Sequence, residues 1–143
     1  MPSFRRFWLT TLLPLAVALP LLVNVTWHQR VSGLPLGEGV QRANGFPWPA
    51  LTDSLISSTT PHIFVLPLLL NWTFALLWLT AAGRWLWPRL KSDKLKLFSG
   101  LTWFLLLPTL LMNGVTFGLA RWSWVSPLPV LETVGARLHF GFW

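Results

Sequence analysis

The sequence predicts an all-α membrane protein with three transmembrane helices, and three observations carry that reading. Of 143 residues, 53% are hydrophobic and 10% charged, against about 25% charged in an ordinary soluble domain. The charges are also spaced: Phe7–Trp27, Ile63–Gly83 and Leu97–Ala120 contain none. Each segment reaches the roughly 20 residues a helix needs to cross about 30 Å of hydrocarbon. All three are apolar all round, whereas a soluble bundle would show a polar face at a 3.6-residue period. Spans at about 7–27, 63–83 and 97–120 then make residues 1–143 a single membrane domain.

The net charge of +7 raises nucleic acid as a partner, but its distribution points to a membrane surface. Arg5 and Arg6 precede the first span. Arg84, Arg89, Lys91, Lys94 and Lys96 lie between the second and third, where every lysine of the chain is found. The remaining polar segments are nearly balanced: Arg30 and Arg42 with Glu38 and Asp53, then Arg121 and Arg137 with Glu132. This positive-inside bias places the N-terminus and the 84–96 loop in the cytoplasm, and the 28–61 loop and the 123–143 tail outside, in a bacterial inner membrane. The five basic residues of the inner loop suit anionic lipid headgroups. Lipid is therefore the expected partner, and nucleic acid is not. Cysteine is absent, which removes disulfides, thiolate catalysis and cysteine metal sites.

Span one begins with a basic pair and an apolar core, and Ala16-Val17-Ala18 matches a signal cleavage pattern. The apolar run continues past that point to Val25, so a retained anchor is the preferred reading. In the outer loop, RVSGLPLGEGV is glycine- and proline-rich and is expected to be irregular. GFPWP (Gly45 to Pro49) is expected to be extended, because each proline biases its predecessor away from the helix. Thr52 or Asp53 then caps a short interfacial helix through Leu55 and Ile56, and Thr60-Pro61 reads as the start of span two. After span three, Pro127 and Pro129 break the chain. Residues 130 to 140 fit an amphipathic surface helix, with Val130, Leu131, Val134 and Leu138 on one side. Most of the tryptophans flank the spans, as in an aromatic belt.

Polar residues inside the spans pose the sharpest question. Asn71 lies about nine residues past His62, and Asn113 about eight before Arg121. Both are therefore roughly 12–14 Å deep at 1.5 Å per residue. Matched depth on consecutive antiparallel helices predicts that the two amides bond each other, since an unpaired amide in hydrocarbon is costly. On span two, Pro67, Asn71, Ala75, Trp78 and Ala82 share a stripe. On span three, Thr102, Leu106, Thr109, Asn113, Thr116 and Ala120 share another, the signature of a helix–helix interface in lipid. Gly114 and Gly118 form a G-x-x-x-G pair on a different face. Span one is expected to fill that groove, with a partner protein or a second copy as the alternative.

Catalytic chemistry is thinly represented. His28 and His62 stand at one expected depth and are the candidate ligands for a haem or a quinone; His139 is in the tail. Asp53, the serines at 54, 57 and 58, and His62 supply the residue types of a hydrolase triad, without a nucleophile elbow. No phosphate-binding glycine loop or metal-ligand spacing occurs, and no ionisable residue marks a transport path inside a span. The reading is a non-catalytic accessory, assembly or stabilising subunit with no cofactor, partnered by a membrane protein or by itself. The alternative is a redox-associated subunit using His28 and His62.

Overall fold

The computed structural model describes residues 3–31, 40–52, 61–90, 92–125 and 130–140. It corrects the all-α expectation. Three helices are present, α1 (Phe4–Leu22), α2 (Val65–Leu86) and α3 (Ser92–Leu119), but a six-stranded sheet stands at one end of them. The strands are β1 (Val23–Val31), β2 (Val40–Asn44), β3 (Leu51–Thr52), β4 (His62–Phe64), β5 (Arg121–Ser123) and β6 (Val130–Phe140). Their order is β5-β4-β3-β2-β1-β6, antiparallel except for the parallel β4–β5 pair. The fold is mixed α/β.

All three helices are long and apolar enough to cross a membrane. Each meets the sheet at the same end. α1 runs directly into β1, β4 runs directly into α2, and α3 is followed by β5. The second helix is continued by a 3-10 turn, Trp87–Arg89.

Three sequence expectations fail for one physical reason: non-local strand pairing overrides local helical pattern. Span one ends at Leu22 rather than near Trp27. The next residues alternate, with Val23, Val25 and Trp27 apolar and Asn24, Thr26 and His28 polar, the period of a strand. The 130–140 segment is a strand, not an amphipathic helix. It pairs with β1 from Val23↔Phe140 to Val31↔Val130, with two register shifts. An 11-residue helix is marginal alone, while β1 offers a ladder along the whole length of the segment. Span two starts at Val65 rather than Pro61, because His62–Phe64 is drawn into the sheet between β3 and β5. The Leu66 amide, one of the orphan donors at that helix start, is accepted by the Trp124 carbonyl at 3.1 Å. Of the expected interfacial helix, Leu51 and Thr52 form β3, and residues 53–60 lie outside the described residues.

Within the helical layer, α1 is central. It packs along both α2 and α3, which have little direct contact with each other. Accordingly 44% of its apolar stretch is buried, against 17% for α2 and 22% for α3. Trp8 donates its indole N–H to Thr80 on α2 at 2.9 Å. Gly83 lets α1 approach closely, since a Cβ there would lie 2.6 Å from Leu12 Cδ1. At the end away from the sheet, Phe7, Leu12 and Leu95 form a core cluster, with Phe4 and Trp87 rings edge to face at 5.6 Å. At the sheet end, Ala50, Leu51, Ile63 and Leu68 form a second cluster, covered by Trp72 and Phe117.

α1 also contains a five-residue π-helical turn, Trp8–Leu12. Pro14 has no amide, so the carbonyl of Thr10, four residues earlier, loses its usual donor. The Ser99 hydroxyl of α3 donates to that carbonyl at 3.2 Å, the substitution by a neighbouring helix that hydrocarbon surroundings favour. Ser99→Ala is expected to lower unfolding stability in micelles by about 1 kcal/mol. An unchanged unfolding midpoint would show that this bond contributes nothing.

Candidate functional site

The site is a cleft between the sheet-proximal halves of α1 and α2, roofed by the Gly45–Pro49 turn. The turn follows β2 and is held from three directions. Gly45 donates its amide to the Val25 carbonyl at 3.1 Å, the Trp27 indole donates to the Gly45 carbonyl at 2.9 Å, and the Ala50 amide donates to the Asn44 carbonyl at 2.8 Å. Gly45 has φ of +143°, a conformation only glycine adopts readily. The Phe46–Pro47 bond is cis.

Asn71 is the anchor of this turn. It lies about 9 Å along α2 from Val65 and its side chain is fully buried. Its Oδ1 accepts from the Trp48 amide at 3.0 Å and its Nδ2 donates to the Trp48 carbonyl at 2.8 Å. A single side-chain amide thus completes both backbone groups of one loop residue, as a neighbouring strand would. One helical turn further on, Phe74 meets the rings of Phe46 and Trp48 edge to face at 6.2 and 6.1 Å. The turn therefore does not stand free of the helices. It lies down along α2.

The cleft below has a volume of about 330 Å³. Leu19, Pro20 and Val23 form one wall, and Ala75 and Leu79 the other. Phe46 closes the top and Trp78 borders the opening. Among the described residues, Asn71 supplies the single polar side chain of the lining besides the Trp78 indole, and both its oxygen and its nitrogen are already engaged by Trp48. Among the described residues, no charged group lines the cleft. Its chemistry is that of a hydrocarbon pocket.

The expected Asn71–Asn113 bond is not formed. Its premise was that α2 and α3 are neighbours, and α1 lies between them. Asn113 is fully buried but donates to its own helix, to the Thr109 carbonyl at 2.8 Å, and its Oδ1 has no partner among the described residues. Thr102 and Thr109 also bond back to carbonyls four residues earlier, at 2.9 and 2.6 Å. The buried residues of this stripe, Thr102, Leu106, Thr109 and Asn113, are joined by half-buried Thr116 and Ala120. The Thr102 and Thr109 hydroxyls and the Asn113 Nδ2 are thus satisfied within α3 itself. Gly114 and Gly118 are exposed, and among the described residues a Cβ at either meets nothing within 4 Å. Span one does not fill that groove.

His28 sits on β1 and His62 on β4. The ladder links His28 with Arg42, and the adjacent Ala43 through Thr52 to His62. Three strand spacings, about 14 Å, separate the backbones of the two histidines. The His139 side chain and residues 53–60, with the candidate serines and Asp53, lie outside the described residues. Among the basic residues, Arg84, Arg89, Lys94 and Lys96 are exposed at the far end of the helices, with Arg89 stacked over the Trp85 ring at 4.0 Å. Lys91 is outside the described residues.

A second feature escaped sequence reasoning. β6, 11 residues long, is an edge strand paired with β1 alone among the described residues. Val134 and Leu138 on it are 54% and 61% exposed. A run of unpaired N–H and C=O groups of this length is a template for another strand. Comparison with family models, curated proteins and solved structures gives no match to this chain.

Proposed function

We propose that the protein is a non-catalytic accessory or assembly subunit of a membrane complex, docking a partner protein by strand addition. The edge of β6, unpaired among the described residues, carries this reading. An open edge with exposed valine and leucine provides main-chain hydrogen bonds for affinity and apolar side chains for selectivity. The exposed Gly114/Gly118 face of α3 supplies a second surface, where a partner helix gains close backbone approach.

The orientation in the proposal is N-terminus and 84–96 segment cytoplasmic, sheet outside, in a bacterial inner membrane. Its support is the collection of Arg5, Arg6, Arg84, Arg89, Lys94 and Lys96 at the end of the helices remote from the sheet.

The test is purification in mild detergent of the wild type, a Val134→Lys/Leu138→Lys double variant and Gly118→Ile. Lysine on an edge strand opposes strand addition. The expected result is a defined protein partner with the wild type, lost from the edge variant and weakened by Gly118→Ile, at equal yield and thermal stability. A wild type that elutes alone, or a partner retained by both variants, rejects the proposal.

A further inference from the structure

We propose that the cleft between α1 and α2 beneath the Gly45–Pro49 turn binds one acyl chain of a bilayer phospholipid. The inference is independent of the docking role of β6 and rests on the lining, size and level of the cleft.

At about 330 Å³, the cleft falls within the range of small-ligand sites and far exceeds the voids left in a close-packed interior. Water does not fit its chemistry. An ordered water needs two to four polar partners, whereas among the described residues the lining offers the Trp78 indole at the mouth and Asn71, which is committed to Trp48. Left empty, the walls would forfeit the dispersion contacts that tight packing supplies. A hydrocarbon occupant restores those contacts and asks nothing of the walls but apolar surface. The volume holds on the order of ten methylene-sized groups, the scale of most of one acyl chain.

The level of the site selects the source. Asn71 and Trp78 lie about 9 and 20 Å along α2 from its sheet-proximal end at 1.5 Å per residue. That interval overlaps the acyl region of one leaflet, whose depth is about 15 Å. Phe74 and Trp78 at the mouth are exposed, Trp78 by 67%, so the opening faces sideways toward lipid. A phospholipid of the sheet-side leaflet thus enters laterally, its chain under Phe46 and its headgroup level with the sheet. This also accounts for the buried asparagine. Asn71 holds the roof in place while consuming its own polarity.

The test uses the full chain in phosphatidylcholine vesicles doped with a phosphatidylcholine carrying a diazirine within one acyl chain. After illumination, adducts are mapped by mass spectrometry. Labelling at Leu19, Ala75 and Leu79 is expected to exceed severalfold that at Leu111, which is 76% exposed on α3 and samples ordinary annular lipid. Ala75→Phe and, as a second plug, Leu79→Trp should reduce cleft labelling to the Leu111 level while leaving Leu111 unchanged. Cleft labelling no higher than Leu111 in the wild type overturns the proposal, whether or not either plug variant folds. Undiminished labelling in a folded plug variant also overturns it. Labelling by a free fatty acid bearing the same diazirine, without labelling by the phospholipid, rejects the phospholipid as occupant.

Discussion

Asn71→Leu is expected to destabilise the protein by about 3 kcal/mol, because it strands the amide and carbonyl of Trp48 against apolar surface, each at roughly 1–3 kcal/mol. The substitution keeps the side-chain volume, so the loss is one of hydrogen bonding rather than of packing. Both Trp48 groups depend on Asn71, at 3.0 and 2.8 Å. Asn113→Leu provides the contrast. Its amide makes one bond within its own helix and its oxygen has no partner among the described residues, so it should cost far less. Unfolding in micelles followed by tryptophan fluorescence measures both. Equal losses at the two positions would restore the idea of a coupled asparagine pair, and a loss below about 0.5 kcal/mol at Asn71 would remove its role as anchor.

Gly45→Ala should be at least as damaging, at about 3–5 kcal/mol, combining a strained backbone with overlap in a packed site. The glycine holds φ of +143°. A Cβ there would lie 2.3 Å from the Trp48 carbonyl oxygen, 2.8 Å from the Ala50 amide nitrogen and 3.2 Å from Asn71 Nδ2. Two of the three are backbone, which has no rotamer to adopt in relief. Relief requires the turn to lift from α2, breaking the Asn71 clamp. Gly45→Ala and Asn71→Leu should therefore be less than additive, since each undoes the same contact. Additive losses in the double variant would mean that the turn and the clamp are separate devices.

The central position of α1 links these details. A first helix flanked by both others leaves α2 and α3 with broad exposed apolar faces, including Leu77 at 67% and Phe104 at 73% exposure. In water such faces would demand cover. Against lipid they face a solvent as apolar as themselves. The same arrangement separates Asn71 from Asn113 and frees Asn71 to serve the loop. It also opens the cleft, whose walls come from α1, the start of β1 and α2.

How much of the site was legible varies with the range of the interactions. The sequence by itself determined the three apolar helices and the basic end, because span length and charge placement answer to the bilayer and need no partner segment. It marked Asn71 as a joint, since a lone amide in an apolar run must be satisfied, and it marked GFPWP as non-helical. The alternation in Val23-Asn24-Val25-Thr26-Trp27-His28 was a readable strand signal, obscured by the continuous apolar count that preceded it. Only the tertiary structure decided the partner of Asn71, the conversion of 130–140 into a strand, and the cleft. Each depends on backbone groups brought from distant parts of the chain, β6 to β1 and Trp48 to α2. Helical hydrogen bonds close within four residues and leave a local period, whereas the partner of a strand or of a clamp leaves no trace in spacing. Local pattern therefore places the helices, and chain-distant pairing places the sheet and the site.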